Sequence, residues 1–100
     1  MARRHAKVAR MQDLPTGHQI YLALVKILEV SGVADPAAAV DVTMVPENQS
    51  ATYTVVPTQN AKPALASALS GLLGRPFSLE EPSWALEVDD TAHVLRAAGF

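Results

Sequence analysis

Phosphate binding is the first chemistry that this sequence suggests, because basic side chains are concentrated at its start. Arg3, Arg4, Lys7 and Arg10 place four positive charges in the first ten residues, and the first acid is Asp13. The other ninety residues hold 4 basic and 10 acidic side chains, a net charge of 4 − 10 = −6. This segregation is typical of an arm that contacts a polyanion beside a body that does not. The alternative is a solvated tail without a partner.

The residue types needed for catalysis or metal binding do not occur at useful spacings. His5, His18 and His93 lack metal-ligand spacing, and the sequence has no cysteine to join them. Glu80 and Glu81 are adjacent, so regular structure would point them in different directions and they make a poor acid–base pair. We find neither a glycine-rich nucleotide loop nor a nucleophile elbow. We therefore expect a non-catalytic protein without metal or cofactor.

Two further features could serve binding. Gly71-Leu72-Leu73-Gly74 has the Gly-x-x-Gly spacing of the loop with which K-homology domains clamp a nucleic-acid backbone. The two leucines are also explained as core residues of a helix that Gly74 ends. Trp84 is expected in the core, whereas a solvent-facing Trp84 would indicate a stacking platform or a protein-binding anchor.

The chain divides into a basic arm, residues 1–15, and a single domain, residues 16–100. Residues 2–13 can form a short helix with Arg3, Lys7 and Arg10 on one face, and Leu14-Pro15 ends it. Thr16 and Gln19 have the spacing of a capping box, which predicts a helix over about 18–31. Its apolar stripe consists of Ile20, Leu24, Ile27 and Leu28, and Gly32 ends it.

Three segments alternate with the period of a half-buried strand: 38–45, 51–57 and 84–88. Residues 46–50 between the first two predict a five-residue hairpin loop. Asn60 is expected to cap a helix whose apolar face consists of Leu65, Leu69, Leu72 and Leu73. Asp89-Asp90-Thr91 are expected to cap a final helix over 92–98.

This order, α-β-β-α-β-α, predicts an α+β fold: a three-stranded sheet with helices on one face. The first two strands should pair antiparallel through the hairpin. The third follows a long helical connection, so we expect it to lie parallel to one of the others.

Several short motifs over residues 20–91 occur together in a particular order. They are Ile27-Leu28, Val33-Ala34-Asp35-Pro36, Val40-Asp41-Val42-Thr43, Ser50-Ala51-Thr52-Tyr53, Leu73-Gly74-Arg75 and Asp89-Asp90-Thr91. In order and spacing they resemble the ribosome-binding factor A family, which has the type II K-homology (KH) fold. The resemblance implies a non-catalytic RNA-binding factor that associates as a monomer with the small ribosomal subunit and its rRNA during maturation.

The expected RNA contacts follow from this interpretation together with the charge pattern. They are Arg3, Arg4, Lys7 and Arg10, with Arg75 and Lys62 as weaker candidates. The alternative is a small protein-interaction module, such as a phage, immunity or regulatory protein, which the acidic body favours.

Composition predicts the compartment. A chain of this size without cysteine is expected in a reducing environment, and no segment approaches the ~20 apolar residues of a membrane span. We expect a cytoplasmic protein that does not bind membranes. The mitochondrial matrix is the alternative, because the start of the chain contains arginines and no acid before Asp13.

Overall fold

Three α-helices and three strands form residues 14–100, which is the part of the chain that this computed structural model describes. They are α1 (Gly17–Val30), β1 (Val40–Glu47), β2 (Ser50–Pro57), α2 (Lys62–Leu73), β3 (Trp84–Glu87) and α3 (Val88–Ala97), with a short 3-10 helix (Pro36–Ala38) before β1. The predicted α+β fold is confirmed. The likeness to the type II K-homology fold stays a prediction.

The strands form one antiparallel sheet in the order β1-β2-β3. Met44 on β1 lies opposite Tyr53 on β2, and Tyr53 lies opposite Leu86 on β3. β3 runs in the same direction as β1, as expected, but it is not its neighbour: it pairs antiparallel with β2, so the sheet contains no parallel pair. After α2, residues 74–83 lead the chain back to the end of the sheet from which α2 departs, so β3 starts beside Val55 and runs against β2.

The β1–β2 hairpin is tighter than predicted. Both strands continue to Glu47 and Ser50, which leaves a two-residue turn, Asn48-Gln49, in place of the expected five-residue loop. Gln49 takes a left-handed conformation with φ 59°. Pro46 was expected in the loop, but it lies in β1, an edge strand, where a residue without an N–H is tolerated.

All three helices pack on one face of the sheet, as predicted. Apart from Pro46 near the hairpin, the strand residues on that face are buried or half-buried, and the alternate residues on the other face are exposed or half-exposed. Leu24, Leu69 and Leu86 are fully buried in one core, whereas Ile27 of the predicted α1 stripe packs at its margin. The rest of this core includes Ile20, Leu28, Tyr53, Val55, Leu65, Trp84 and Val94.

The N-terminal ends of the helices follow the sequence signals in one case out of three. The capping box before α1 is present: the Thr16 N–H donates to Gln19 Oε1 at 2.8 Å, and the Gln19 N–H donates to Thr16 Oγ1 at 3.0 Å. The predicted cap of α2 was wrong. Ala61 is its N-cap, because the Asn60 side chain instead accepts a hydrogen bond from the Thr58 hydroxyl.

The final helix starts earlier than predicted. β3 passes directly into α3 at Val88, and Asp90 lies within the first turn of the helix. The Asp90 carboxylate accepts a hydrogen bond from the Glu87 N–H at 2.9 Å, so Glu87 takes the N-cap position that we expected for residues 89–91.

Candidate nucleic-acid interface

The basic arm joins the domain at a fixed point. Leu14 packs against the core, and the hydroxyl of Tyr53 donates a hydrogen bond to the Pro15 carbonyl at 2.5 Å. Tyr53 is fully buried, and burial raises the pKa of its hydroxyl, which keeps that donor protonated. Leu14 and Pro15 therefore belong with the domain. The predicted contacts Arg3, Arg4, Lys7 and Arg10 lie outside the described residues.

Lys62, predicted as a weaker RNA contact, lies in the interior. Lys62 is only 5 % exposed. Its Nζ donates hydrogen bonds to the Leu79 carbonyl at 3.2 Å and to the Glu81 carbonyl at 2.7 Å. A lysine stem buried among apolar groups with its ammonium bound to carbonyls is a structural arrangement. Here it fixes the returning segment 74–83 against the start of α2, and the geometry gives no support to a phosphate contact.

Arg75 lies at the surface, but its guanidinium is already paired with a carboxylate. Its guanidinium forms a bidentate pair with Asp90, with both N–O distances at 2.9 Å, and it lies 5.1 Å from the centre of the Phe77 ring. The hydrogen bonds from Arg75 lower the pKa of the Asp90 carboxyl, and the same contact raises the pKa of Arg75. A phosphate at this position would have to compete with that carboxylate.

Two exposed cations were missed by the sequence analysis. Lys26 on α1 and Arg96 on α3 are exposed, and neither forms an ion pair with another residue of the described part. Each is isolated in the sequence, so no motif pointed to it. These two cations stand out as possible contacts only in the structure, where Lys62 is bound to carbonyls and Arg75 is paired with Asp90.

The Gly-x-x-Gly segment forms no clamp loop. Gly71 lies within α2, Leu72 and Leu73 are half-buried, and Gly74 ends the helix in a left-handed conformation with φ 71°. Trp84 is only 4 % exposed, and its Nε1–H donates to the Ser78 carbonyl at 2.9 Å. Both features therefore build the fold: the two leucines and Gly74 belong to a helix and its end, and Trp84 lies in the core as expected.

Other site chemistry was searched for across residues 14–100. Within them, no group of three or more His, Cys, Asp or Glu side chains could hold a metal ion. Nor does any helix in this part of the chain have the length and apolar character needed to cross a membrane. Asp89 and His93 are both exposed on the first turns of α3.

Comparisons with known proteins add no identification. No protein-family model, no curated protein and no solved structure matches this chain. The resemblance to the ribosome-binding factor A family therefore remains a prediction from the order of its motifs.

Proposed function

We propose that this chain is a non-catalytic RNA-binding protein that associates with the small ribosomal subunit during maturation. The observation that carries the proposal is the distribution of available positive charge. The described domain holds 4 basic and 9 acidic residues, a net charge of 4 − 9 = −5, and two of those four cations are engaged within the fold. Contact with a polyanion therefore falls mainly to the arm, with its four cations and no acid before Asp13.

The mechanism is occupancy without turnover. Arm side chains contact phosphates, which fixes the position of the protein on RNA without reading its sequence. The domain, tied to the arm through Leu14 and Pro15, then occupies a site on the immature subunit and biases the conformation of the neighbouring rRNA. The choice of the small subunit rests on the motif resemblance.

Co-sedimentation tests this proposal. Purified chain should pellet with small ribosomal subunits at low salt and be released as salt rises, because phosphate contacts depend on counterion release. Large subunits at equal concentration are the control for non-specific binding, and they should retain less protein. Equal retention on both subunits, or none on either, would contradict the proposal.

A protein-interaction module is the second candidate, and the acidic domain favours it. Val30 on α1 is 78 % exposed, so an apolar side chain is available for contact on a surface of net negative charge. This candidate predicts little RNA binding at any salt concentration.

A further inference from the structure

The face of the sheet opposite the helices is uncovered within the described part of the chain. Its centre consists of Thr43, Thr54 and Ala85, aligned across the three strands. The neighbouring rows contribute Val45 and Thr52 on one side and Val56 on the other, and both valines are more than 40 % exposed. The result is a flat surface of small and β-branched side chains with two apolar positions.

Every charged residue that the strands place on this face is acidic. Asp41 and Glu47 lie at the two ends of β1, and Glu87 lies at the end of β3, all exposed. The four cations of residues 14–100 lie elsewhere, on the helices or directly after α2: Lys26, Lys62, Arg75 and Arg96. The Arg75 guanidinium lies near enough to Glu87 for their charges to interact, so the negative potential of the face comes mainly from Asp41 and Glu47 on β1.

The negative charge of the open face determines what kind of segment can bind there. A second copy of the same face would oppose like charges, and nucleic acid would be repelled. A cationic segment with some apolar character fits, and residues 3–10 have that composition, with four basic side chains and Val8 among them.

The arm can reach the face from its fixed starting point. Tyr53 and the Pro15 that it holds lie on the helix side of the sheet, so the arm has to pass around the edge of the sheet to reach the open face. Gly17 lies beside β1, since a Cβ at that position would be 3.4 Å from Met44 N. An extended chain covers about 3.5 Å per residue, so Lys7 can lie about 25 Å from Leu14, which is enough to pass the β1 edge and to cross strands that lie about 4.8 Å apart.

We propose that the N-terminal arm docks on the open face of the sheet when RNA is absent, and that RNA must displace it. Tethering favours the chain's own arm over a foreign basic segment, because a short linker gives an effective concentration on the order of millimolar. The displacement step rests on the proposed function. The docking itself does not, and it can be tested without RNA.

Amide chemical shifts test the docking directly. Spectra of the full chain are compared with those of the variant in which Arg3, Arg4, Lys7 and Arg10 are all replaced by Gln. Docking predicts shift differences at the amides of β1 and β2, among them Thr43, Thr52 and Thr54, and their loss at high salt. Differences confined to the helices, or none beyond the substituted residues, would overturn the proposal whatever the protein does with RNA.

Competition with RNA is tested by neutralising the face. The double variant Asp41→Asn, Glu47→Gln should bind single-stranded RNA several-fold more tightly than wild type at low salt, because the arm no longer has to be released. The matched control Glu29→Gln, Glu80→Gln removes the same charge from α1 and from the segment before β3. Equal tightening in both variants would show a general charge effect and overturn the competition. Absence of RNA binding in all three proteins would contradict the proposed function, and the amide shifts would still decide the docking.

Discussion

Lys62 shows how a single residue can be misjudged from its charge alone. Its position was predicted to contact RNA, but its ammonium holds the carbonyls of Leu79 and Glu81. Lys62→Met keeps the apolar stem and removes the donors, so we expect a loss of about 1–3 kcal/mol in the free energy of unfolding. Chemical denaturation measures this change.

The control is Lys26→Met on the exposed side of α1, which should alter the free energy of unfolding by less than about 0.5 kcal/mol. A Lys62→Met protein with unchanged stability but weaker RNA binding would restore Lys62 as a contact residue.

Asp90 should make stability depend on pH. Its carboxylate accepts two hydrogen bonds from Arg75 and one from the Glu87 N–H, and its pKa in the folded protein lies below the ordinary value of 3.8. A lowered folded pKa gives stability that is fully present above the unfolded pKa and is lost as pH falls through the folded pKa. The advantage of wild type over Asp90→Asn should therefore shrink between about pH 5 and pH 3.

Denaturation of both proteins at each pH measures that advantage. Asp89→Asn, which changes an exposed carboxylate one residue away, is the control and should show a smaller pH dependence. A wild-type advantage that stays constant down to pH 3 would contradict the role assigned to the Arg75–Asp90 pair.

At the level of elements, the sequence predicted what depends on local pattern. The capping box of α1 and the alternation of β1 and β2 involve neighbours in the chain, and both were predicted correctly. Asn60 and Pro46 were misjudged because their roles depend on other parts of the fold. Asn60 bonds to Thr58, and Pro46 lies in a strand whose outer edge is unpaired.

Gly71 gives a prediction for α2. It lies inside the helix, and a Cβ at this position would have no atom within 4 Å. Gly71→Ala should therefore stabilise the protein by about 0.5–1 kcal/mol, because alanine loses less backbone entropy in a helix. RNA affinity should stay the same if the segment is only a helix end. Destabilisation in thermal or chemical denaturation would contradict the helical role of Gly71, and a large loss of RNA affinity would favour the clamp interpretation.

For the whole molecule, the position of β3 in the sheet was beyond the reach of sequence patterns. That position depends on whether residues 74–83 run back along α2. Hydrogen bonds stabilise this path: Lys62 Nζ donates to the carbonyls of Leu79 and Glu81, and Trp84 Nε1–H donates to the Ser78 carbonyl. The hydrogen bonds of Lys62 and the ion pair of Arg75 with Asp90 likewise join residues that are far apart in the sequence. The charge of the arm, by contrast, is a property of the sequence alone, and the functional proposal depends on it.

The salt dependence of RNA affinity tests the central claim most directly. In the variant with Arg3, Arg4, Lys7 and Arg10 all replaced by Gln, the domain should stay folded, because these residues precede the anchored Leu14 and Pro15, and its melting temperature should fall by no more than the docked arm contributes. Its affinity for RNA and for small subunits should fall. If all four side chains contact phosphate, the slope of log affinity against log salt should decrease by about 3, since each contact contributes about 0.7–0.9. Equal affinity and an equal slope in variant and wild type would show that the arm contacts no phosphate.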